Sequence, residues 1–392
     1  MKWTENRQKG EPDFQGLVQE DEIREVGKYH QSLPAYNRTL LVRLDCLAAR
    51  LGVGDIFIKD ESSRFGLNAF KVLGASYAIG KFLSAKLGLK FDGVNPERLK
   101  AENTEAKLGK ITFATTTDGN HGVGVAWTAH LLGYPAVIYM PKGTTPARLK
   151  NIEKHGAKVT VTDMNYDDTV RYVAGLAAKN GWQVVQDTAW EGYEDIPRWI
   201  MQGYSTTARE VIEELGGTRP THVLLQAGVG AFAAMMTALF LQAYPDHPPK
   251  IILVEPEKAD CFYRSFAAGG KTAVTGDLNT IMAGLACGEP NPVAWRVLSS
   301  SADLAVSVPD WVTANGMRTL GNPLGTDQRV VSGESGAVTL GLLTAAAKDE
   351  ALKQALELDE HSRVILFSTE GDTDPSVYRR VVWDGAYPAE AQ

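Results

Sequence analysis

Lys71 lies in the run Asn68-Ala69-Phe70-Lys71-Val72-Leu73-Gly74-Ala75, where the extended stretch Phe57-Ile58-Lys59-Asp60-Glu61 gives way to an apolar helical pattern. A helix N-terminus disfavours a nearby ammonium, so the lysine pKa is expected to fall. A lysine that loses its proton near neutral pH is a nucleophile and can form a Schiff base with a carbonyl. Most lysines are solvated surface cations, and three other stretches set this one apart. Thr115-Thr116-Thr117-Asp118-Gly119-Asn120-His121-Gly122-Val123-Gly124 lies between a strand-like run at 110–114 and a helical pattern at 125–132. Gln226-Ala227-Gly228-Val229-Gly230-Ala231-Phe232 lies between another strand-like run and the apolar helix at 233–241. Phe367-Ser368-Thr369-Glu370-Gly371-Asp372 closes a strand at 363–366. A strand, a glycine-rich turn and a helix make an anion site, because unpaired backbone N–H groups point out of the turn. One Gly-x-Gly turn says little alone, since packing often demands two glycines. The turn at Gly228 also lacks the third glycine of dinucleotide folds, position 233 being Ala.

In chain order these four stretches resemble the fold-type II enzymes that use pyridoxal phosphate (PLP), such as threonine dehydratase, serine racemase and the tryptophan synthase β-subunit. That group shares a Phe-Lys pair, a Ser/Thr-x-Gly-Asn-His loop, a glycine-rich phosphate loop and a late Ser or Thr near the pyridine nitrogen. Within it, four segments are similar to the diaminopropionate ammonia-lyases. They are Thr117-Asp118-Gly119-Asn120-His121-Gly122, Gln186-Asp187-Thr188-Ala189-Trp190-Glu191-Gly192-Tyr193, Met282-Ala283-Gly284-Leu285-Ala286-Cys287-Gly288-Glu289-Pro290 and Ser368-Thr369-Glu370-Gly371-Asp372-Thr373-Asp374. The likeness runs from about residue 30 to about residue 385.

The resemblance implies a role for each position. Lys71 would hold PLP as a Schiff base, yield to the substrate amine and return protons. Phe70 would pack beside the cofactor, and Asn120 would hydrogen-bond the phenolic oxygen of its ring. Backbone N–H groups of Gly228, Val229, Gly230, Ala231 and Phe232 would bind the phosphate, so the Val229 and Ala231 side chains must turn away. Thr369, with Ser368 as the fallback, would face the pyridine nitrogen. A hydroxyl does not hold that nitrogen protonated as a carboxylate would, which favours β-elimination over transamination. Asp118 stands where dehydratases carry a small or hydroxyl residue. It can bind the second ammonium of a diamino acid or take the α-proton. By analogy with serine racemase, Asp118 would serve the D-isomer and Asp187, on the lysine side, the L-isomer. The alternatives are that Asp118 caps the turn and Asp187 a strand end. Thr117, Asp118, Asn120 and His121 are candidates for binding the substrate, His121 being as well placed to pack behind it. The implied reaction is α,β-elimination of D- and L-2,3-diaminopropionate to pyruvate and two ammonia. A serine or threonine dehydratase or racemase of the same fold is the alternative. A PLP-binding protein without catalysis is a third reading, against which the two carboxylates speak.

The 392 residues carry a net charge of −7 with 44% hydrophobic and 22% charged residues, ordinary for a globular chain long enough for two domains. No basic run suggests nucleic acid, no signal peptide is expected at the polar start, and no apolar stretch has the length of a membrane span. The expected location is the cytoplasm, and the expected assembly a homodimer. Three cysteines, Cys46, Cys261 and Cys287, are too few for a disulfide scaffold. Cys261 and Cys287 are expected to stay reduced, with a regulatory disulfide between them as the alternative. The absence of Cys-x-x-Cys and His-Glu-x-x-His speaks against a transition-metal site.

Strand-like runs at 56–59, 111–115, 135–140, 158–161, 183–186, 222–226, 251–255 and 364–368 alternate with helical patterns such as 147–155 and 166–180. That alternation implies an α/β fold with parallel-rich sheets flanked by helices. The expected division is a large PLP-binding domain, 1–114 with 188–392, and a small domain, 115–187, inserted in it. The polar stretch 90–110, with Asn95-Pro96-Glu97 as a helix start, is expected to be a surface insertion. Ligands in such folds bind at the C-terminal ends of strands, where all four motifs can meet.

Overall fold

The computed structural model describes residues 1–102 and 105–389. Eleven strands are found among them: β1 Lys2–Glu5, β2 Leu40–Arg43, β3 Asp55–Asp60, β4 Phe113–Thr116, β5 Ala136–Met140, β6 Lys158–Val161, β7 Gln183–Val184, β8 His222–Gln226, β9 Lys250–Pro256, β10 Leu304–Val308 and β11 Arg363–Ser368. Seven form one sheet in the order β1-β10-β9-β8-β11-β3-β2, and four form a second in the order β6-β5-β4-β7. The second sheet is parallel throughout. In the first, only the edge strands β1 and β2 run antiparallel. The central strands β8, β9, β10 and β11 are runs of Val, Ile, Leu and Ala buried on both faces, as parallel strands covered by helices must be.

Eight of these strands sit where the sequence pattern places them. β1, β2 and β10 were not anticipated. β1 and β2 are short, half-exposed edge strands without a buried face to advertise them. β10 is a buried Leu-Ala-Val-Ser-Val run whose two small residues mute its hydrophobic signal.

The helix Val72–Lys86 joins the two sheets. It packs against the helix Asn120–Leu132 so closely that a Cβ on Gly124 would lie 2.9 Å from the Val72 Cα. One continuous apolar cluster therefore runs from Phe113 and Ile138 of the second sheet to Leu225, Ile365 and Phe367 of the first. The stretch 90–110, expected on the surface, is anchored through buried Phe91, Val94 and Leu99. It forms helices Pro96–Glu102 and Glu105–Leu108, and the Asn95 side chain accepts from the Arg98 N–H at 2.8 Å. Residues 103 and 104 of this stretch lie outside the described residues.

Candidate active site

After β3 the chain makes a kinked turn, Glu61–Gly66, and then passes through Asn68 with φ near +60°. Asparagine tolerates this left-handed conformation better than most residues. The next residues are laced to the end of β11. Ala69 bridges Glu370, the Phe70 N–H donates to the Thr369 carbonyl at 3.0 Å, and the Gly371 N–H donates to the Asn68 carbonyl at 3.1 Å. Lys71, Thr369 and Glu370 are thereby fixed relative to one another by backbone bonds.

The Lys71 Nζ lies 2.7 Å from the Asp187 Oδ2. The other carboxylate oxygen, Oδ1, accepts from the Tyr166 hydroxyl at 2.9 Å and the Gln186 Nε2 at 3.1 Å. This corrects the expected lysine pKa. Burial does pull the Lys71 ammonium down, but the negative charge of Asp187, with a smaller contribution from Asp118, reverses this and holds it well above the usual lysine range. The helix-end effect is outweighed by a direct ion pair. Burial would raise Asp187, and the Lys71 ammonium beside it holds it well below the usual carboxylate range instead. Lys71 and Asp187 thus stand as an ion pair, with the proton on the lysine.

Lys71 and Asp187 open onto a narrow cleft with a cavity volume of about 60 Å³. Asp118 and Asn120, from the start of the helix Asn120–Leu132, line the same cleft. So do Phe70 and Thr369. Gly228, Val229, Gly230, Ala231 and Phe232 complete the wall, between β8 and the helix Ala231–Ala243. That helix has no side-chain cap, so its first N–H groups are available to a ligand. Gly230 has φ near +91°, and a Cβ there would sit 2.4 Å from the Phe262 ring. Val229 turns toward the cluster of Tyr166, Val170 and Cys287, and Ala231 is buried in the main core. The Phe70 ring meets Phe232 edge-on at 4.8 Å and Tyr204 at 4.7 Å.

Asp118 is not bonded to Lys71. Its nearest cation is Arg148 of the helix Pro146–Glu153, 3.4 Å from Oδ2, and Arg148 also lies 3.5 Å from Glu334. Burial raises the Glu334 carboxyl to about 7 against the pull of Arg148. Thr369 donates its hydroxyl proton to Glu370 Oε2 at 2.7 Å and accepts from Gln226 Nε2 at 2.9 Å. Burial raises the Glu370 carboxyl, while its bonds from Thr369 and the Gly336 N–H oppose that.

Three residues singled out from the sequence stand outside the cleft lining. The Thr117 hydroxyl accepts from the N–H groups of Gly119 (2.9 Å) and Gly122 (3.0 Å), which shapes the turn into the helix. His121 is fully buried, and its Nε2 bonds the Val185 carbonyl at 2.8 Å. Burial lowers its pKa, which favours the neutral ring. Ser368 is buried, with its hydroxyl 3.4 Å from the Glu370 carbonyl. Cys261 and Cys287 are free thiols in this structure, both close to Gly228. Sequence reasoning gave no role to Tyr166, Arg148, Gln226, Glu334 or Glu370. Glu370 lies inside a motif already noted and could have been weighed. Gln226 likewise opens the turn already noted, whereas Tyr166 and Arg148 come from helices and Glu334 from a turn, with no local signature.

PLP needs an amine, an anion cradle free of side chains, an apolar flank and a polar partner for its ring nitrogen. Lys71, the uncapped Gly228–Phe232 turn, the Phe70 and Phe232 rings, and Thr369 supply these within one cleft, so the residues present fit the cofactor.

Comparison with known proteins agrees with that geometry. Residues 33–370 match the family of pyridoxal-phosphate dependent enzymes. The chain is 51% identical to diaminopropionate ammonia-lyase of Escherichia coli (strain K12) over 376 residues, covering 95% of this chain and 94% of that protein. It is 48% identical to the enzyme of the same name from Salmonella typhimurium over 370 residues, 92% of each chain. The crystal structure of the selenomethionine-labelled holo Escherichia coli enzyme superposes with a TM-score of 0.93, at 49% identity, covering 99% of this chain and 97% of that one. The chain belongs to the pyridoxal-phosphate dependent enzymes of fold type II, and within them to the diaminopropionate ammonia-lyase family.

Proposed function

We propose that this enzyme eliminates ammonia from both D- and L-2,3-diaminopropionate with two separate bases, Asp118 for the D-isomer and Asp187 for the L-isomer. The observation that carries this reading is the unequal pairing of the two carboxylates. Asp187 is bonded to Lys71, whereas Asp118 faces the same cleft held by Arg148. A base in contact with the lysine and a base independent of it can reach an α-proton from different directions. Bound PLP supplies the electron sink for proton removal at the α-carbon. Lys71 would hold the cofactor through its amine until the substrate amine replaces it, and Asp187, no longer facing a lysine ammonium, would then be free to take up a proton. Asn120 orients the ring through its phenolic oxygen, and Phe70 and Phe232 keep water from its face. The β-amino group departs as ammonia, taking the bonding electrons. Hydrolysis of the released enamine yields pyruvate and the second ammonia.

The Asp118 carboxylate, now 3.4 Å from Arg148, would receive the second substrate ammonium. That charge favours a diamino acid over serine or threonine, whose hydroxyl offers no cation. Residues 115–187 act as a small domain on a large one, with the cleft between them. The enzyme works as a cytoplasmic homodimer, which light scattering in solution and cell fractionation test.

The deciding experiment is pyruvate release from D- and L-diaminopropionate beside D- and L-serine and threonine. Asp118→Asn is expected to lower kcat on the D-isomer by roughly 10²–10⁴-fold and leave the L-isomer nearly unchanged, with Asp187→Asn showing the reverse. Equal losses on both isomers in either variant would remove the two-base reading. Faster turnover of serine or threonine would replace the substrate.

A further inference from the structure

A hydroxyl at the ring nitrogen can act as donor or acceptor, and its other hydrogen bonds decide which. Thr369 has its proton committed to Glu370 Oε2 at 2.7 Å. One of its lone pairs is taken by Gln226 Nε2 at 2.9 Å. The Gln226 amide cannot be turned round, because the same nitrogen donates to the Phe367 carbonyl at 2.9 Å and an oxygen there would face an oxygen. What Thr369 can still offer is a lone pair. Gln226 adds a second acceptor, since its Oε1 is buried without a partner among the described residues, and Gln226 lines the cleft. Glu370 is itself fixed, because its Oε1 accepts from the Gly336 N–H at 2.8 Å and its backbone pairs with Ala69. The surroundings of Thr369 are therefore rich in acceptors, the arrangement suited to an N–H and unsuited to a bare nitrogen lone pair.

We propose that Glu370 is a positioning residue that acts through Thr369 to keep the ring nitrogen of bound PLP protonated. The carboxylate takes the Thr369 proton, the hydroxyl oxygen then accepts from the ring N–H, and the positive ring is the stronger electron sink. This rests on Thr369 facing the ring nitrogen, and it reverses the consequence drawn from a hydroxyl at that place. The sequence shows the hydroxyl, and the fold sets a carboxylate behind it. Glu370→Gln inverts the relay without changing its shape. The amide oxygen must stay on the Gly336 N–H, so the new NH₂ faces Thr369. With two donors on its oxygen, Thr369 must aim its own proton at the ring and can no longer accept from it.

The test is solid-state ¹⁵N NMR of the holoenzyme loaded with ring-¹⁵N PLP at neutral pH. The wild type is expected to resonate in the pyridinium region and Glu370→Gln toward the free-base region, with Glu370→Asp returning toward the wild type. The kcat of Glu370→Gln should fall roughly tenfold, about 1.4 kcal/mol of barrier, at little-changed KM. A free-base signal in the wild type overturns the proposal without need of any variant. If Thr369→Val moves the resonance and Glu370→Gln does not, the relay fails but Thr369 keeps its place. If neither moves it, the placement of Thr369 fails as well.

Discussion

Single side chains here owe their chemistry to the neighbour that each can reach. Lys71 shows this most directly, because its charge state follows Asp187 at 2.7 Å and not the helix behind it. Asp187 in turn depends on Tyr166, whose hydroxyl donates to Oδ1 and helps to keep the carboxyl low. Tyr166→Phe removes that donor and leaves the pocket apolar. The Asp187 pKa should rise, so the acid limb of the kcat/KM profile for the L-isomer is expected to move to higher pH. The D-isomer profile should keep its position. Parallel pH profiles for the two isomers check this, and an unmoved L-isomer limb would contradict the role given to the tyrosine. Glu334 illustrates the reverse case. Arg148 is 3.5 Å away, yet burial dominates and its carboxyl stands near 7.

At the level of elements, the cleft is built from loops that other elements hold still. The turn from β8 into the helix Ala231–Ala243 cannot bear a side chain at Gly230, where φ is near +91° and Phe262 blocks the Cβ position. Gly230→Ala is expected to cost on the order of 1–3 kcal/mol of stability through backbone strain and overpacking. PLP affinity should weaken by at least roughly tenfold as the N–H groups lose alignment, since each tenfold step corresponds to only about 1.4 kcal/mol. Urea unfolding of the apoenzyme and PLP titration followed by absorbance separate the two effects. The turn at Thr117 follows the same logic, with a hydroxyl holding two backbone N–H groups so that Asp118 and Asn120 project into the cleft.

Over the whole molecule, the shared core couples the site to global stability through buried histidine. His30 is fully buried, with Nε2 on the Leu73 carbonyl at 2.9 Å and Nδ1 on the Thr206 hydroxyl at 2.7 Å. Burial lowers its pKa from 6.5 to about 3, helped by Arg64. His155 is lowered to about 4 by burial. The unfolded chain therefore takes up protons first. The stability that these groups contribute is fully present above pH 6.5 and is lost as the pH falls toward 4 and then 3. Thermal melts are expected to show Tm declining below pH 6.5, with a shallower decline in His30→Asn than in the wild type. An equal slope in both would assign the acid sensitivity elsewhere.

The sequence by itself determined the cofactor chemistry and most of the fold. The Phe70-Lys71 pair, the 117–122 loop, the Gly228–Phe232 turn and the 368–374 segment are local patterns. Strands such as β5 and β9 were legible because apolar runs with β-branched residues between turn signals have few other uses. The weakly patterned β1, β2 and β10 were lost to the same reasoning. Only the tertiary structure decided which groups meet. Tyr166 reaches Asp187 across 21 positions, Arg148 reaches Asp118 across 30, and Gln226 reaches Thr369 across 143. Hydrogen bonds and charges act over a few ångströms, and the packing of two sheets around one helix brings such distant residues that close. Spacing along the chain therefore revealed that Lys71, Asp118 and Thr369 were available, and the fold alone decided how each is oriented and paired.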